Sequence, residues 1–217
     1  MNAAFTTADG LALARRDWPA AGTARGTLLI VHGLGEHAGR YEALAARLAA
    51  QGWNVVSYDQ RGHGASPGAR GAIPDDDALL RDLAAVIDSL RAERPGPLVL
   101  LGHSMGGLVA ARFVAEGLRA PPAPRYRPVD ALVLSSPALA ADTSAAQKLL
   151  LATLGGIAPN LAVNNGLRPE WISRDAAVVA AYVADARVHD RITPRLARFI
   201  LDNGALVRRL APLWRVP

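Results

Sequence analysis

The hydrophobic positions of this sequence fall into two kinds of segment. Four continuous apolar runs have the length of a strand, at residues 26–31, 53–58, 97–101 and 130–135. A run without polar alternation is typical of a strand that is buried on both faces. Between these runs apolar residues recur at helical spacing: Tyr41, Leu44, Ala45 and Leu48; Leu79, Leu83, Val86, Ile87 and Leu90; and a segment from Met105 to about Leu118. The alternation predicts an α/β fold, with a mostly parallel sheet and helices on both faces.

The segments that flank this pattern have other signatures. Residues 3–18 predict a hairpin, because two short extended runs meet at Asp9-Gly10, a strong tight-turn dipeptide. Residues 119–128 contain too many prolines for regular structure and predict a loop before the last strand.

After Pro137 helical stretches follow one another, and no convincing strand is found as far as residue 211. The helical stretches are Leu149 to Leu154, Ala176 to Val183 and Leu196 to Leu210. We therefore predict three parts: the N-terminal part of an α/β core over residues 1–137, a helical cap over 138–200, and a return helix over 201–217.

Composition narrows the class of protein further. The chain has 217 residues and a formal net charge of +5, but its arginines are scattered among acidic residues and form no basic block, so we expect no nucleic-acid partner. The absence of cysteine excludes a disulfide framework and a thiol nucleophile. The N-terminus lacks an apolar signal region, and no apolar run approaches the ~18 residues of a membrane span. We expect a cytoplasmic protein.

The candidate chemistry centres on Ser104, which lies in a Gly-x-Ser-x-Gly frame between a predicted strand and a predicted helix. A nucleophile at such a corner needs a tight, strained turn, and small neighbours at Gly102, Gly106 and Gly107 let other segments come close. The N–H groups at the start of the following helix favour a developing oxyanion, and the amide of Met105 is one such donor. A serine at an ordinary strand–turn–helix corner is the alternative.

The second oxyanion donor is expected from the loop after the first long strand, which lies on the same edge of the sheet as Ser104. This loop is His32-Gly33-Leu34-Gly35-Glu36-His37, and the amide of Leu34 is the natural candidate. We expect both histidines of the loop to be structural, and Glu36 to be a carboxylate that fixes the loop.

The same loop also fits a different function. Gly33-x-Gly35-x-x-Ala38 matches the dinucleotide fingerprint, and Asp59 ends the next strand near the place of a ribose-binding acid. This would suit a NAD-dependent oxidoreductase. The helix is predicted to begin near Gly39 or Arg40, after the glycines rather than through them. The only lysine, Lys148, has no tyrosine four residues before it, and Ser104 is left unexplained.

Three motifs in order carry a family resemblance: HGLGEHAGRY at 32–41, YDQRGHGAS at 58–66 and GHSMGG at 102–107. Together they resemble the monoacylglycerol lipase and lysophospholipase branch of the serine α/β-hydrolases, which are serine aminopeptidase S33-like. The resemblance covers about residues 1–210. It implies an ester hydrolase that needs no metal or cofactor, with a small lipid ester as substrate.

The resemblance also assigns roles to individual residues. It implies Ser104 as the nucleophile, the amides of Leu34 and Met105 as the oxyanion hole, and residues 138–200 as a cap over the acyl-binding pocket. Asp59, Arg61 and His63 would then be structural residues of the loop below the site.

The triad that should activate Ser104 is not found. The chain order in this fold is serine, acid, histidine, and the one histidine after Ser104 is His189, in the predicted cap. In the family that stretch carries no catalytic role, so His189 is not favoured as the base. Asp185 and Asp190, which flank it, are expected to be cap or helix-end charges. His103 should point away from the serine beside it. We expect the acid and the histidine of the triad to be absent from these 217 residues.

The missing triad residues and the position of the last predicted strand both suggest that the sequence is part of a longer protein. Without further strands, residues 130–135 would be an uncovered apolar edge that invites aggregation. We therefore expect the sequence to be a fragment, or a prematurely ended reading, of a longer hydrolase. A catalytically silent protein that binds acyl ligands is the alternative.

The leucine-rich start of the cap bears on partners. Leu149, Leu150, Leu151, Leu154 and Ile157 are compatible with a wall that admits acyl chains or makes transient contact with a lipid surface. Packing inside the cap accounts for each of them equally well. The sequence leaves open the acyl length, the head group, the choice between ester, thioester and peptide, and the oligomeric state.

Overall fold

The computed structural model describes residues 4–140, 153 and 155–217. Six of its strands form one sheet in the order β1-β2-β4-β3-β5-β6. These strands are β1 Ala4–Thr6, β2 Ala12–Trp18, β3 Thr27–Val31, β4 Asn54–Tyr58, β5 Leu98–His103 and β6 Ala131–Ser135. Strands β4, β3, β5 and β6 run parallel, whereas β1 and β2 form the predicted antiparallel hairpin at one edge. The predicted α/β fold with a mostly parallel sheet is confirmed.

The order of the strands determines where a ligand can bind. The chain passes from β3 to β4 on one side and then returns to β5 on the other side of β3. The carboxyl ends of β3 and β5 therefore flank the point at which the strand order reverses, which is the usual ligand crevice of an open α/β sheet. The register pairs Val31 with Gly102, so both strands end at the same level.

Helices cover both faces of the sheet. They are α1 Glu42–Ala50, α2 Ala78–Glu93 and α3 Met105–Ala115, with α4 Ala176–Ala184 and α5 Pro194–Leu210 further along the chain. Short 3-10 turns lie at Ala38–Tyr41, Glu116–Leu118, Pro169–Trp171 and Ala211–Leu213. The predicted apolar stripe of α2 is fully buried. That stripe belongs to the main core, which also holds Leu29, Leu100 and Phe113.

Strand β3 shows why the core forms where it does. All five of its residues are buried, with Leu29 and Val31 in the larger core cluster and Leu28 and Ile30 in a smaller one on the opposite face. A strand that is covered on both sides has no polar face to present, so its sequence is a continuous apolar run.

The segment after Pro137 contains one structure that the sequence pattern missed. Strands β7 Val163–Asn164 and β8 Arg191–Ile192 pair in an antiparallel two-residue ladder, so the expectation of no strand there was wrong. A two-residue strand carries no periodicity, since alternation needs about four residues to be visible. Helices α4 and α5 lie at the predicted places. Of the predicted helix over residues 149–154 only Thr153 is described, as helical, and the rest lies outside the described residues.

Helix α5 runs without a break across position 200, where the predicted cap meets the predicted return helix. Its buried residues Leu196, Phe199 and Val207 join the same core as the sheet. The helix packs on α3, and Asn203 accepts a hydrogen bond from Arg112 at 2.8 Å. The division into core, cap and return helix stays a prediction.

The edge strand β6 is not bare along its whole length. The N–H of Leu132 donates to the carbonyl of Pro217 at 2.8 Å, and Trp214 and Val216 pack against the main core. The expectation of an uncovered edge is corrected at this point, although Val133 remains 44% exposed. None of the helices in the described ranges combines the length and the hydropathy that crossing a bilayer requires.

Candidate active site

Ser104 lies on the turn between β5 and α3 in a backbone conformation that L-residues rarely adopt, with φ 51° and ψ −121°. Its own N–H donates to the carbonyl of Ser135 at 3.0 Å, and its carbonyl accepts from Leu108 and Ala138. These bonds hold a strained residue in place. No described side chain hydrogen-bonds the Ser104 hydroxyl, which faces a cavity.

The three glycines of the turn are required by space rather than by a positive φ. A Cβ on Gly102 would lie 2.5 Å from the carbonyl oxygen of Gly106, and one on Gly107 would lie 2.9 Å from Cβ of Pro137. A Cβ on Gly106 would overlap the carbonyl oxygens of Val31 and His32. The start of α3 therefore touches the end of β3, as the motif predicts for a nucleophile elbow.

The loop after β3 is fixed beside the serine. A Cβ on Gly33 would lie 3.1 Å from Cβ of Ser104, so the two residues are in close contact. Glu36 is buried, and its Oε1 accepts from the N–H of Gly33 at 2.6 Å and from the Tyr41 hydroxyl at 2.8 Å. Arg40 donates to its other oxygen at 2.9 Å. The predicted loop-fixing carboxylate is thus the partner of the peptide that precedes Leu34.

The N–H groups of Leu34 and Met105, the two amides proposed for an oxyanion hole, are not used by hydrogen bonds among the described residues. Met105 is the first residue of α3, where a helix leaves its N–H groups without an intrahelical partner. Leu34 lies one residue after Gly33 in the fixed loop. Neither amide donates to an acceptor within the described residues. Their role as oxyanion donors stays a prediction.

The cavity in front of Ser104 has a volume of about 560 Å³ and is built from both halves of the chain. Its core wall includes Gly33, Leu34, Leu101 and Ser104. The facing wall comes from the segment between β7 and α4 and from α4 itself: Leu167, Arg168, Pro169, Trp171, Ile172 and Tyr182.

The lining also includes residues that were not singled out from the sequence as site residues, among them Leu44, His103, Ser135 and Ser136. Leu44 belongs to the apolar stripe of α1 but is 41% exposed, because that stripe faces the cavity there. His103 contacts Ser135 through Nδ1 at 3.1 Å and nevertheless lines the same cavity as Ser104.

The loop after β4 is structural. Both carboxylate oxygens of Asp59 accept backbone N–H groups, from Ala38 and Ala65 at 2.8 Å each. Arg61 is buried between Asp82 at 2.6 Å and Asp9 at 3.0 Å. Because both groups are buried and bonded within the protein, they hold the loop and do not face the cavity.

These contacts disfavour the dinucleotide alternative. Asp59 is buried and its oxygens are occupied, so it is not available to a ribose. Gly35, with φ 76°, is covered by the carbonyl oxygen of His189, and Gly33 is covered by Ser104. The helical turn starts at Ala38, after the glycines, whereas the fingerprint places them at the helix start.

Three histidines form a stack beneath the loop. The ring centroids of His32 and His63 are 5.3 Å apart, and those of His63 and His189 are 4.7 Å apart. His32 accepts from the Gln60 N–H through Nε2, so its Nδ1 donates to the Gly33 carbonyl at 2.8 Å. Nε2 of His63 and Nε2 of His189 are buried and find no hydrogen-bond partner in the described part of the chain. No group of three or more His, Asp or Glu within the described ranges is arranged to hold a metal ion.

The stack holds its imidazoles neutral. Burial lowers the pKa of His32 and, together with the neighbouring imidazoles, lowers the pKa of His63 well below its usual value. The pKa of His189 is lowered to about 4, chiefly by burial and then by the positive charge of Arg70, against the opposing charge of Asp190.

His189 does not reach the serine. Its ring packs on His63 below the loop, its backbone N–H donates to the Gly35 carbonyl at 2.9 Å, and it does not line the cavity. His37 holds the same two segments together, because its Nε2 donates to Asp185 at 2.8 Å while its Nδ1 accepts from Gly39. His37 was expected to be a structural residue of the loop, and its bond to Asp185 extends that role to the predicted cap.

The stack predicts a loss of stability in mild acid. Unfolded histidine has a pKa of about 6.5, so the unfolded chain takes up protons that the folded stack resists as the pH falls below that value. The part of the free energy of unfolding that comes from keeping these histidines neutral is fully present above about pH 6.5 and decreases as the pH falls toward 4. The melting temperature of His189→Gln should therefore fall less than that of the parent protein between pH 7 and pH 4.5.

The matched control is His103→Gln, which leaves the stack intact and should retain the parental pH dependence. Melting curves for the three proteins, recorded at several pH values and one ionic strength, make the comparison. Parallel curves for His189→Gln and the parent would contradict the assignment.

Comparison with known proteins places this geometry in a family. A family model described as serine aminopeptidase, S33, matches residues 22–217. The monoacylglycerol lipase of Mycolicibacterium smegmatis is 35% identical over 217 residues, which cover 98% of this chain and 74% of the relative. The human monoglyceride lipase is 36% identical over 185 residues, with 83% and 58% covered.

A crystal structure of a relative has a fold similar to that of this chain. The monoacylglycerol lipase of Paleococcus ferrophilus has a TM-score of 0.78 and 35% sequence identity, covering 94% of this chain and 75% of that one. Across the first relatives, this chain spans between 22% and 74% of their own length. The resemblance drawn from the three motifs is confirmed: the chain belongs to the serine aminopeptidase S33 family and has the α/β-hydrolase fold.

Proposed function

We propose that this chain is the nucleophile-bearing part of a serine ester hydrolase that acts on small lipid esters, monoacylglycerols or lysophospholipids. The observation that carries the proposal is the position of Ser104, on a strained turn in contact with Gly33 and open to a cavity. Two relatives named monoacylglycerol or monoglyceride lipase, each about a third identical to this chain, support the substrate class.

The chemistry assigned to these residues is acyl transfer in two steps. The Ser104 oxygen attacks the ester carbonyl carbon, and the carbonyl oxygen becomes negative while the amides of Leu34 and Met105 donate to it. The bond between the acyl carbon and the alcohol oxygen then breaks, the alcohol leaves with the proton that came from the Ser104 hydroxyl, and an acyl-serine remains. Water then attacks the acyl-serine and releases the fatty acid, which regenerates the serine hydroxyl.

The proposal assigns neither the acid nor the histidine of the triad to one of these 217 residues. A serine hydroxyl is a weak nucleophile until a base takes its proton, and no described histidine bonds the Ser104 hydroxyl. The proposal therefore leaves the base unassigned, in a chain that spans 58–74% of the length of these two lipase relatives.

The cavity suits an acyl chain. Leu44, Leu101, Leu167, Trp171 and Ile172 supply apolar surface around the serine. Burying hydrocarbon against such walls stabilises binding by about 0.8 kcal/mol per methylene. Ester hydrolysis that depends on Ser104 tests the proposal, and equal rates with and without that hydroxyl would overturn it.

The alternative function is a silent acyl-binding protein. It is favoured by the one observation that no described base contacts Ser104. Covalent labelling of Ser104 by a fluorophosphonate would exclude it, because the reagent reports an activated serine. Acyl binding without labelling, in a protein with a cooperative melting transition, would favour it over hydrolysis.

We also propose transient contact between the predicted cap and a lipid surface. Large apolar side chains project into solvent from this segment, with exposed fractions of 80% for Ile157, 52% for Leu161 and 65% for Val183. The leucines at 149, 150, 151 and 154, which were expected to share this role, lie outside the described residues.

Sedimentation with neutral phosphatidylcholine vesicles tests this contact. The double variant Ile157→Ser/Leu161→Ser should bind about 10-fold more weakly, because the two side chains lose apolar area that enters the interface. Leu213→Ser is the matched control. Leu213 is 60% exposed, but it lies just beyond the C-terminal end of α5, outside the predicted cap. Equal loss in the control and the double variant, or no loss in either, would contradict the contact.

A further inference from the structure

We propose that Arg168 forms an anion subsite in the cavity of Ser104 and directs the enzyme to acyl esters that carry a phosphate head group. This inference rests on the proposed ester hydrolase function and narrows its substrate class to lysophospholipids over neutral monoacylglycerols.

The charges that line the cavity do not cancel. The lining residues include one carboxylate, Glu36, and two guanidinium groups, those of Arg40 and Arg168. Glu36 is already the partner of Arg40 at 2.9 Å, and it also accepts from Gly33 and Tyr41. Burial and the charge of Glu36 raise the pKa of Tyr41, so this hydroxyl stays protonated and donates. One positive charge is left over.

That charge belongs to Arg168. Among the described residues no carboxylate lies within 4 Å of its guanidinium, whereas Arg15, Arg61, Arg81 and Arg127 each pair with an acid. The neighbouring acid, Glu170, does not line the cavity. The guanidinium lies 5.6 Å from the ring centroid of Trp171, which restricts its orientation.

The backbone that carries Arg168 is fixed to the core. Asn165 donates its N–H to the Asp190 carbonyl at 2.6 Å, and its side-chain oxygen accepts the Leu167 N–H at 2.9 Å. Residue 190 follows His189, which is bonded to Gly35 in the loop beside Ser104. Pro169 then begins a 3-10 turn whose N–H at residue 171 donates to the Arg168 carbonyl at 3.0 Å.

The chemistry of the free group selects the ligand. A guanidinium presents a rigid fork of donors that matches the oxygens of a phosphate, and such charge-assisted bonds are the strong ones. Arg168 is exposed, so its charge is hydrated by water alone when the cavity holds a neutral glycerol head group. A phosphate on the same glycerol would neutralise it while the acyl ester faces Ser104.

The test compares two substrates that differ in one group, 1-octanoylglycerol and 1-octanoylglycerol 3-phosphate, both below their micelle concentration. Arg168→Gln should lower kcat/KM for the phosphate ester about 10-fold, the effect of losing about 1.4 kcal/mol, and change the neutral ester less than 2-fold. Arg174→Gln removes the same charge from an exposed arginine outside the cavity and should change neither. Arg168→Lys should retain part of the preference, because it keeps the charge but not the fork.

A binding measurement separates this proposal from the proposed function. Calorimetry of the Ser104→Ala protein with 1-O-octylglycerol 3-phosphate, an ether that cannot be hydrolysed, should show a Kd about 10-fold higher after Arg168→Gln. Such a shift would support the subsite whatever the outcome of the hydrolysis assays. If the parent protein with Ser104 intact then hydrolysed no ester, the hydrolase function would fail while the subsite stood. Unchanged binding, or equal losses on both esters, would overturn the subsite even if hydrolysis depends on Ser104.

Discussion

Ester hydrolysis by this protein is expected to fall by on the order of 10⁴-fold or more when Ser104 is replaced by alanine. The reason is that an alanine cannot form the acyl intermediate, so only the oxyanion donors and substrate binding remain to assist water. The fold should survive, because Ser104 bonds its neighbours through backbone atoms and no described side chain bonds its hydroxyl. Alanine at φ 51° is no worse than serine there, so the melting temperature should change little.

The measurement is initial-rate hydrolysis of medium-chain acylglycerols, with parallel labelling by a fluorophosphonate and intact-mass detection. Ser135→Ala is the matched control: it removes a hydroxyl from the same cavity, 3.1 Å from Nδ1 of His103, and should retain activity within a few-fold. A Ser104→Ala protein that hydrolyses esters at the parental rate would show that another residue is the nucleophile. Labelling that persists in this variant would lead to the same conclusion.

Gly106→Ala is expected to destabilise the protein by about 3 kcal/mol or more. The added Cβ would overlap two backbone carbonyl oxygens, those of Val31 and His32, at the end of the central strand. Neither oxygen belongs to a flexible side chain, so relief requires that β3 or α3 shift. A change of this size lowers the melting temperature of a domain of this length by roughly 6–12 °C. Because His32 directly precedes Gly33, activity should fall even at temperatures at which the variant is folded.

Gly156→Ala provides the matched control for this change. Gly156 has nothing within 4 Å of where a Cβ would be placed, so the same substitution meets open space there. We expect its melting temperature to stay near the parental value or to rise slightly, since alanine restricts the unfolded chain more than glycine does. Thermal denaturation of both variants at pH 7.5 decides the matter. Similar melting temperatures for Gly106→Ala and Gly156→Ala would mean that the contact between α3 and β3 is loose.

The sheet and its covering helices could be predicted because their determinants are local. The apolar run of β3 has no alternation since both faces are covered, and the stripe of α2 has the period of a helix packed on one side. Ser104 was also accessible to sequence reasoning, because a nucleophile elbow requires small residues at fixed neighbouring positions, and Gly102 and Gly106 occupy them.

The facing wall of the cavity could not be predicted in the same way. Arg168 and Trp171 are brought to Ser104 by pairing of β7 with β8 and by a single backbone bond to Gly35. These contacts join residues that are far apart in the chain, so they produce no periodic pattern of apolar residues in the sequence. The stack of His32, His63 and His189 is of the same kind, since each ring comes from a different segment.

The glycines of the loop after β3 form a spacing pattern that fits two different functions, and only the surrounding structure distinguishes them. Gly33 and Gly35 fit a phosphate-binding fingerprint in spacing alone. In the folded chain Gly33 makes room for Ser104, and Gly35 makes room for the carbonyl of His189. Both glycines are needed because protein segments approach them, and a nucleotide would compete for the same space.

The bond between the His189 N–H and the Gly35 carbonyl has a consequence for how substrate size is sensed. Gly35 adjoins Leu34, and residue 190 adjoins the strand that positions the wall opposite the serine. The proposed oxyanion amide of Leu34 is therefore joined to this wall through residues 34 and 35 of the loop. If a ligand on the wall strengthens the hold on Leu34, then by thermodynamic reciprocity a group at the proposed oxyanion position strengthens binding at the wall to the same extent. Under the proposed function, the length of the acyl chain and the reactivity of the ester would then depend on the same short segment of backbone.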